Sequence, residues 1–300
     1  MLTSARRSFG ACCFALIAGA SVLAHPRAET PARVDQQHVF VAVTDAKGKP
    51  VKGLTKADFA VQIDTTPQEV LNVAPATEPA SILILTDRLG IVPTYPAYEI
   101  HAAIGNFVKA VRGGIPDSKL GLITFDGTVI TLNTFLSGPA ELDRNLGKLT
   151  STAQDAVLID AIYEACKVMR TAPTERRVIF VIAAGYRQDT SNVRIDLMSE
   201  VLRLSKAALW AIEVHSAQGG NYENRVREQM LDRGSQLSGG LVDVVASPSA
   251  LESMCKQMAE MLAAEYDVTY GPGGGSSTSQ MAVRVKPEGL KVMAPMWTDK

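Results

Sequence analysis

The chain has 300 residues, 46% of them hydrophobic and 20% charged, with a formal net charge of −1. That balance belongs to a globular protein with a sizeable core and excludes a disordered or collagen-like chain. With no dominant basic face and only 6% aromatic residues, it also excludes a nucleic acid or an anionic membrane as the main partner.

Residues 1–24 read as a signal peptide. Arg6 and Arg7 form a positive start, and an apolar run from Gly10 to Ala24 follows, too short for a membrane span. Val22-Leu23-Ala24 offers a small-residue cleavage site, with Pro26-Arg27-Ala28 as a second. Export to the periplasm or outside the cell is the expectation, with no membrane insertion once the signal is removed. Arg6-Arg7-Ser8-Phe9 partly matches a twin-arginine signal, so the export route stays open. Cys12 and Cys13 leave with this segment. Cys166 and Cys255 remain, on apolar faces of predicted helices, and read as structural thiols.

Gln37 to Asp45 alternates as a strand, and Ala46-Lys47-Gly48-Lys49 is a turn. Thr55 caps a few helical residues. Phe59 to Ile63 and Glu69 to Val73 are two further short strands. From Ser81 the pattern changes. Ser81-Ile82-Leu83-Ile84-Leu85-Thr86-Asp87 is a run rich in β-branched and other apolar residues, predicting a strand buried on both faces. A helical pattern begins near Pro96. Lys119 to Asp126 and Thr128 to Phe135 are strands joined tightly at Asp126-Gly127, as in an antiparallel hairpin. Glu141 to Leu149 and Asp155 to Arg170 are helices. Arg177 to Ala184, Ala208 to Val214 and Leu241 to Val245 are strands, alternating with helices over Arg194 to Lys206, Asn224 to Leu237 and Ser249 to Tyr266. The methionine stripe of the last helix reads as core. Tyr266 to Tyr270, Ala282 to Val285 and Lys291 to Ala294 return to strand, after which Gly271 to Ser277 reads as a loop between the first two.

This order predicts an α/β fold with a doubly wound, mostly parallel sheet over 80–266, Rossmann-like, with one antiparallel edge. The short β segments at 35–76 and 267–300 would expose edges if left alone, so they are expected to pack together as a small accessory β unit.

Asp87 ends the first strand of that sheet, where ligands of doubly wound folds gather. The stretch Asp87-Arg88-Leu89-Gly90-Ile91 resembles the start of a metal-ion-dependent adhesion site, Asp-x-Ser-x-Ser, of von Willebrand factor type A (VWFA) domains. The module Val43-Thr44-Asp45-Ala46-Lys47-Gly48-Lys49-Pro50-Val51 through Phe59, followed by the α/β region and a C-terminal β segment, resembles a secreted bacterial VWFA-related family. That resemblance implies a VWFA-like fold and brings no assigned biochemical activity. It also implies where a cation would sit. Leu89 and Ile91 stand at the two serines, Ala156 at the threonine of the second loop, and Ala184 at the aspartate of the third. Four of five oxygen-bearing side chains are replaced by carbon, and Arg88 adds a positive charge beside the fifth. No metal and no other cofactor is expected. Ser151, Thr152 and Asp155 are the oxygen donors that a shifted alignment would bring in.

There is no Gly-x-Ser-x-Gly elbow, no P-loop and no Gly-x-Gly-x-x-Gly after a strand. His38, His101 and His215 are far apart, and Cys166 is mid-helix on an apolar flank. No catalytic residues are predicted. The expected function is a secreted, non-catalytic protein-binding or scaffold protein. Its candidate binding residues are Asp87, Arg88, Tyr186 and Arg187 on neighbouring loops, and its protein partner is unidentified. The alternatives are a metal-dependent adhesion module with non-standard ligands, and a hydrolase on an α/β sheet.

Overall fold

The computed structural model describes residues 36–88, 97–147, 149, 155–184, 188–214, 222–271, 276 and 278–298. The signal segment expected over 1–24 lies outside them. Three strands come first: β1 (Gln37–Thr44), β2 (Phe59–Ile63) and β3 (Thr66–Pro75). Strands and helices then alternate: β4 (Ala80–Asp87), α1 (Ala97–Gly114), β5 (Lys119–Phe125), β6 (Val129–Asn133), α2 (Pro139–Leu146), α3 (Leu158–Met169), β7 (Arg176–Ala184), α4 (Met198–Ser205), β8 (Ala207–Val214), α5 (Tyr222–Ser238), β9 (Val242–Val245) and α6 (Leu251–Ala263). The strands β10 (Tyr266–Gly271), β11 (Met281–Val285) and β12 (Lys291–Met293) follow.

Strands β4 to β9 form one sheet in the order β6-β5-β4-β7-β8-β9. All its pairings are parallel except the β5–β6 hairpin at the edge, as the short Asp126-Gly127 turn predicts. Every residue of β4 is buried. The period-2 alternation of a strand sends Ile82 and Ile84 to one face, against α1 and α6, and Leu83 and Leu85 to the other, against α3, α4 and α5. Each such side chain contributes roughly 1.5–3 kcal/mol on leaving water. The sheet is thus covered on both faces. On the first face the ring of Phe107 stacks on Phe180 with centroids 3.9 Å apart. Met258 and Met261 are core residues there. After α5 the chain passes so close to β8 that a Cβ on Gly240 would lie 1.8 Å from the Leu209 carbonyl oxygen. Only glycine fits that approach.

The remaining strands form a second, antiparallel sheet in the order β11-β2-β3-β10-β1-β12. Both chain ends build it: β1 pairs with β10 and β12, and β2 with β11. Its own core includes Val39, Val41, Phe59, Val61, Val268 and Tyr270. In the turn after β1, the Asp45 carboxylate accepts the Lys47 and Lys49 amides at 2.8 and 2.9 Å, and Gly48 takes the positive φ that closes it. Asp58 likewise accepts the Thr55 amide and hydroxyl around one turn of 3₁₀ helix.

Arg176 ties the two sheets together. It is 2% exposed at the start of β7. Its Nε donates to Glu265 at 2.8 Å, and its Nη2 donates to the Leu262 carbonyl at the end of α6. Its Nη1 reaches the Glu78 carbonyl, in the linker before β4, at 3.3 Å. Burial pushes the Glu265 carboxyl up, and the Arg176 guanidinium pulls it back. The C-terminal segment crosses the same junction: Met296 N–H donates to the Leu237 carbonyl at 2.8 Å, and Trp297 packs into the α3–α5 side of the core.

Element boundaries differ from the sequence reading where tertiary pairing intervenes. β3 is longer than Glu69 to Val73, because β2 holds its beginning and β10 the remainder. α3 begins at Leu158 and not Asp155, because Ala156 is bridged to Asp189 instead. Residues Ile195–Leu197 form a 3₁₀ turn before α4. Among the described residues no helix is long and apolar enough to cross a membrane.

Candidate functional site

Counted within its own sheet, the order β6-β5-β4-β7-β8-β9 places the first strand beside the fourth. This is the point where the direction of strand addition reverses, and the crevice outside the carboxyl ends there is the ligand position of such sheets. Asp87 ends β4 at that crevice and Ala184 ends β7.

Register fixes what stands around Asp87. It pairs with Phe125 on β5, Thr86 pairs with Ile182 on β7, and Ala183 pairs with Glu213 on β8. Asp87, Ala183 and Glu213 therefore form one row across the sheet. By alternation they share the face of Leu83, Leu85, Leu209 and Ala211, under α3 and α5. Asp87 and Glu213 are each 2% exposed. From the buried side of α5, Arg227 donates through Nη2 to Glu213 Oε1 at 2.7 Å, with 1% of its side chain exposed.

Arg88 leaves the sheet at the next residue. Its N–H donates to the Phe125 carbonyl at 2.8 Å. Its guanidinium pairs with Asp126, the residue after β5, at 2.5 Å. The other oxygen of Asp126 accepts the Thr128 amide at 3.0 Å and its hydroxyl at 3.3 Å. Arg88 is partly exposed and Asp126 nearly buried.

A third cluster surrounds the start of α3. The N-cap residue, Val157, has no side-chain oxygen to offer. Asp189, from the segment after β7, supplies one: its Oδ2 accepts the Leu158 amide at 3.1 Å and its Oδ1 the Ser191 amide at 2.9 Å. Asp160 in the first turn of α3 accepts the Asn192 and Val193 amides at 3.0 and 2.8 Å. Both carboxylates lie at the positive end of the helix, where they are favoured.

Of the residues predicted for the rim, Asp87 and Arg88 are there. Tyr186 and Arg187 lie outside the described residues, as do Leu89, Ile91, Ser151, Thr152 and His215. Ala156 is buried and strapped by backbone bonds to Gln188 and Thr190. Sequence reasoning missed the Arg88–Asp126 and Glu213–Arg227 pairs and the capping role of Asp189. The parity of Glu213 was the available signal, because it follows Leu209 and Ala211 in phase on a buried face.

Among the described residues the donor set does not fit a divalent cation. Such an ion needs several hard oxygens at about 2.0–2.6 Å. Here Asp126, Glu213, Asp160 and Asp189 are bonded to guanidinium groups or backbone amides of the chain. No group of three or more His, Cys, Asp or Glu suited to a metal occurs among the described residues.

Among the described residues, histidines and cysteines are not brought together with one another. His38 lies in the antiparallel sheet, and His101 Nε2 meets the Leu149 carbonyl at 3.1 Å. Burial pushes the thiols of Cys166 and Cys255 up to about 12, far from a reactive thiolate.

No family model and no curated protein matches the chain. Among solved structures it is similar to the SpRpn10 VWA domain, at a TM-score of 0.44 and 13% identity over 59% of this chain and 93% of that one. It is also similar to von Willebrand factor type A from Catenulispora acidiphila, at 0.47 and 12% over 89% and 75%. A third similar structure is proximal thread matrix protein 1 from the mussel byssus with a zinc-occupied MIDAS motif, at 0.49 and 16% over 67% of this chain and 50% of that one. The chain thus spans half the length of the byssus protein.

Proposed function

We propose that the chain is a secreted, non-catalytic protein-binding or scaffold protein on a VWFA-like sheet, and that its rim meets a protein partner without a divalent cation. One observation carries the metal-free part: two carboxylates at the rim, Asp126 and Glu213, have internal counter-charges. Arg88 serves Asp126, and Arg227 serves Glu213. A guanidinium is a permanent cation with donors matched to carboxylate, so it does at these positions what an exchangeable ion does elsewhere. Support for a binding role comes from the position of the patch, at the switch point of the sheet, and from the resemblance carried by the sequence around Asp87. Support for secretion comes from the arginines and apolar run of residues 1–24.

Two measurements test the reading. Titration calorimetry with magnesium, manganese and calcium is expected to show no specific binding. Micromolar binding that Asp87→Ala abolishes refutes the metal-free rim. Capture from envelope extract is expected to retain a protein that Arg88→Ala releases. Retention independent of the rim refutes its role as the contact surface. Hydrolase activity-based probes are expected to leave the protein unlabelled.

A further inference from the structure

At the end of the α/β sheet opposite the rim, the two sheets border a partly open cavity of about 270 Å³. One wall is the start of β7 and β8, with Arg177, Lys206 and Ala208. The other is β1 and β10, with His38, Phe40 and Tyr270. Met281 and Trp297 close it from the C-terminal segment. The volume lies just under the range of small-molecule sites, about 300–1,000 Å³, and the lining sets aromatic and apolar side chains beside a comparable share of charged and polar ones.

The charges around this cavity are of unequal number. His38, Arg176, Arg177 and Lys206 line it. Glu175 and Glu265 line it too, and Asp267 stands behind His38. Four bases facing three acids leave one excess positive charge. Most members are already paired. His38 bonds Glu175 at 2.9 Å and Asp267 at 3.2 Å, chiefly the Asp267 bond raising its pKa to about 9, so it is a cation at neutral pH. Arg176 is spent on Glu265 and three carbonyls. Arg177 is different. Its Nε and Nη1 donate to the Thr174 and Ser205 carbonyls at 3.0 and 3.2 Å, which fixes the plane of the guanidinium. Its Nη2 has no partner among the described residues. A held, half-buried guanidinium with a donor to spare is a preorganised anion site.

We propose that this cavity binds a small carboxylate with a compact apolar body, the carboxylate on Arg177 and the body against Phe40, Tyr270, Met281 and Trp297. The lining comes from both sheets, so the occupant also braces them against each other. This site is independent of the rim and of the reading given for it.

The probe is benzoate, titrated into the full chain and followed by ligand-observed NMR, with benzyl alcohol and benzylamine as neutral and cationic controls of the same shape. Benzoate is expected to bind saturably with a Kd of about 1 mM or tighter, and each control about tenfold or more weaker. Arg177→Gln is expected to weaken benzoate about tenfold, and Asp87→Ala at the rim to leave it unchanged. No saturation by about 10 mM, benzylamine binding as tightly as benzoate, or a folded Arg177→Gln protein that binds normally overturns the proposal. If Arg177→Gln fails to fold, the wild-type protein decides. Intermolecular NOEs from the benzoate ring to Trp297 or Met281 support the site, and NOEs only to residues elsewhere overturn it.

Discussion

Replacing Arg227 by methionine tests the internal counter-charge directly. Methionine keeps a long unbranched chain on the buried face of α5, beside Met230 and Leu231, so packing changes little. What disappears is the positive charge 2.7 Å from Glu213, in a site where that carboxylate is 2% exposed. Breaking a buried pair from one side costs about 3–5 kcal/mol, because a charge is left without compensation. The carboxylate has one escape, which is to bind a proton. Starting from an ordinary glutamate pKa of about 4.3, protonation at pH 7 costs roughly 3.7 kcal/mol, which sets the ceiling. A loss of about 3–4 kcal/mol is therefore expected at pH 7, against a typical total stability of about 5–15 kcal/mol.

The escape route gives the loss a pH signature. In the variant the folded state holds a proton that the unfolded state releases above about pH 4.3. Stability then falls as pH rises, by about 1.4 kcal/mol per unit, and the penalty shrinks towards zero as pH is lowered to about 4.5. Urea unfolding at pH 7, 6 and 5, with unchanged m-values, reads this. The double variant Glu213→Gln/Arg227→Met removes both members of the pair, so most of the lost stability returns and the dependence on pH flattens. A loss below about 1 kcal/mol at pH 7, or a loss equal at pH 7 and pH 5, would show that Arg227 does not neutralise Glu213.

The other predictions concern separate parts of the molecule. His38 has a folded pKa of about 9, raised above 6.5 first by the Asp267 hydrogen bond, against desolvation, and then by Glu175. Its contribution is complete below pH 6.5 and is lost as pH rises through 9. About a third of the ring side chain is exposed, so solvent screening reduces the effect to about 1 kcal/mol. Thermal melts should show a lower Tm at pH 9.5 than at pH 6.5, and in His38→Gln that decrement should vanish. Asp189→Ala removes the cap of α3 and should cost about 1–2 kcal/mol in urea unfolding, with Asp189→Asn costing less; equal losses would count against the charge–helix interaction. Cys166 and Cys255 are fully buried with thiols near 12, so a maleimide at pH 8 should label neither in the native protein and both in urea. Rapid native labelling of either would contradict that burial.

How legible the fold was in the sequence depended on whether one element or two decide a feature. β4 could be read because its apolar run, Ile82 to Leu85, is buried on both faces by itself, whatever lies beside it. The β5–β6 hairpin could be read from the short turn between its strands, and the joining of the two chain ends from their unpaired edges. The start of α3 could not. Asp155 to Val157 continues the helical spacing, yet the backbone of Ala156 is taken by Gln188 and Thr190, about thirty residues later. The turn before α4 is a similar case. The amides of Asn192 and Val193 bond Asp160, which anchors that segment to α3 and leaves Ile195–Leu197 as 3₁₀ helix.

The rim repeats that lesson with a functional consequence. Comparing Asp87, Ala156 and Ala184 with an adhesion-site pattern shows only what is missing, because the pattern contains only ligands. What the structure adds lies off the pattern, on β8 and α5, and its trace is a matter of phase. Glu213 keeps step with Leu209 and Ala211 along a buried strand face, and Arg227 keeps step with Met230, Leu231 and Ser235 along a buried helix face. A lone charge in phase with a core face is costly, but two of opposite sign on adjoining elements compensate each other. On the proposed metal-free reading, the pair alters what the rim can do. A divalent cation is exchangeable, so a rim that depends on one answers to the metal concentration. A guanidinium on α5 is covalently fixed and does not exchange with the medium. A partner of this rim should then respond to ionic strength, through partly exposed groups such as Arg88, and be indifferent to chelators.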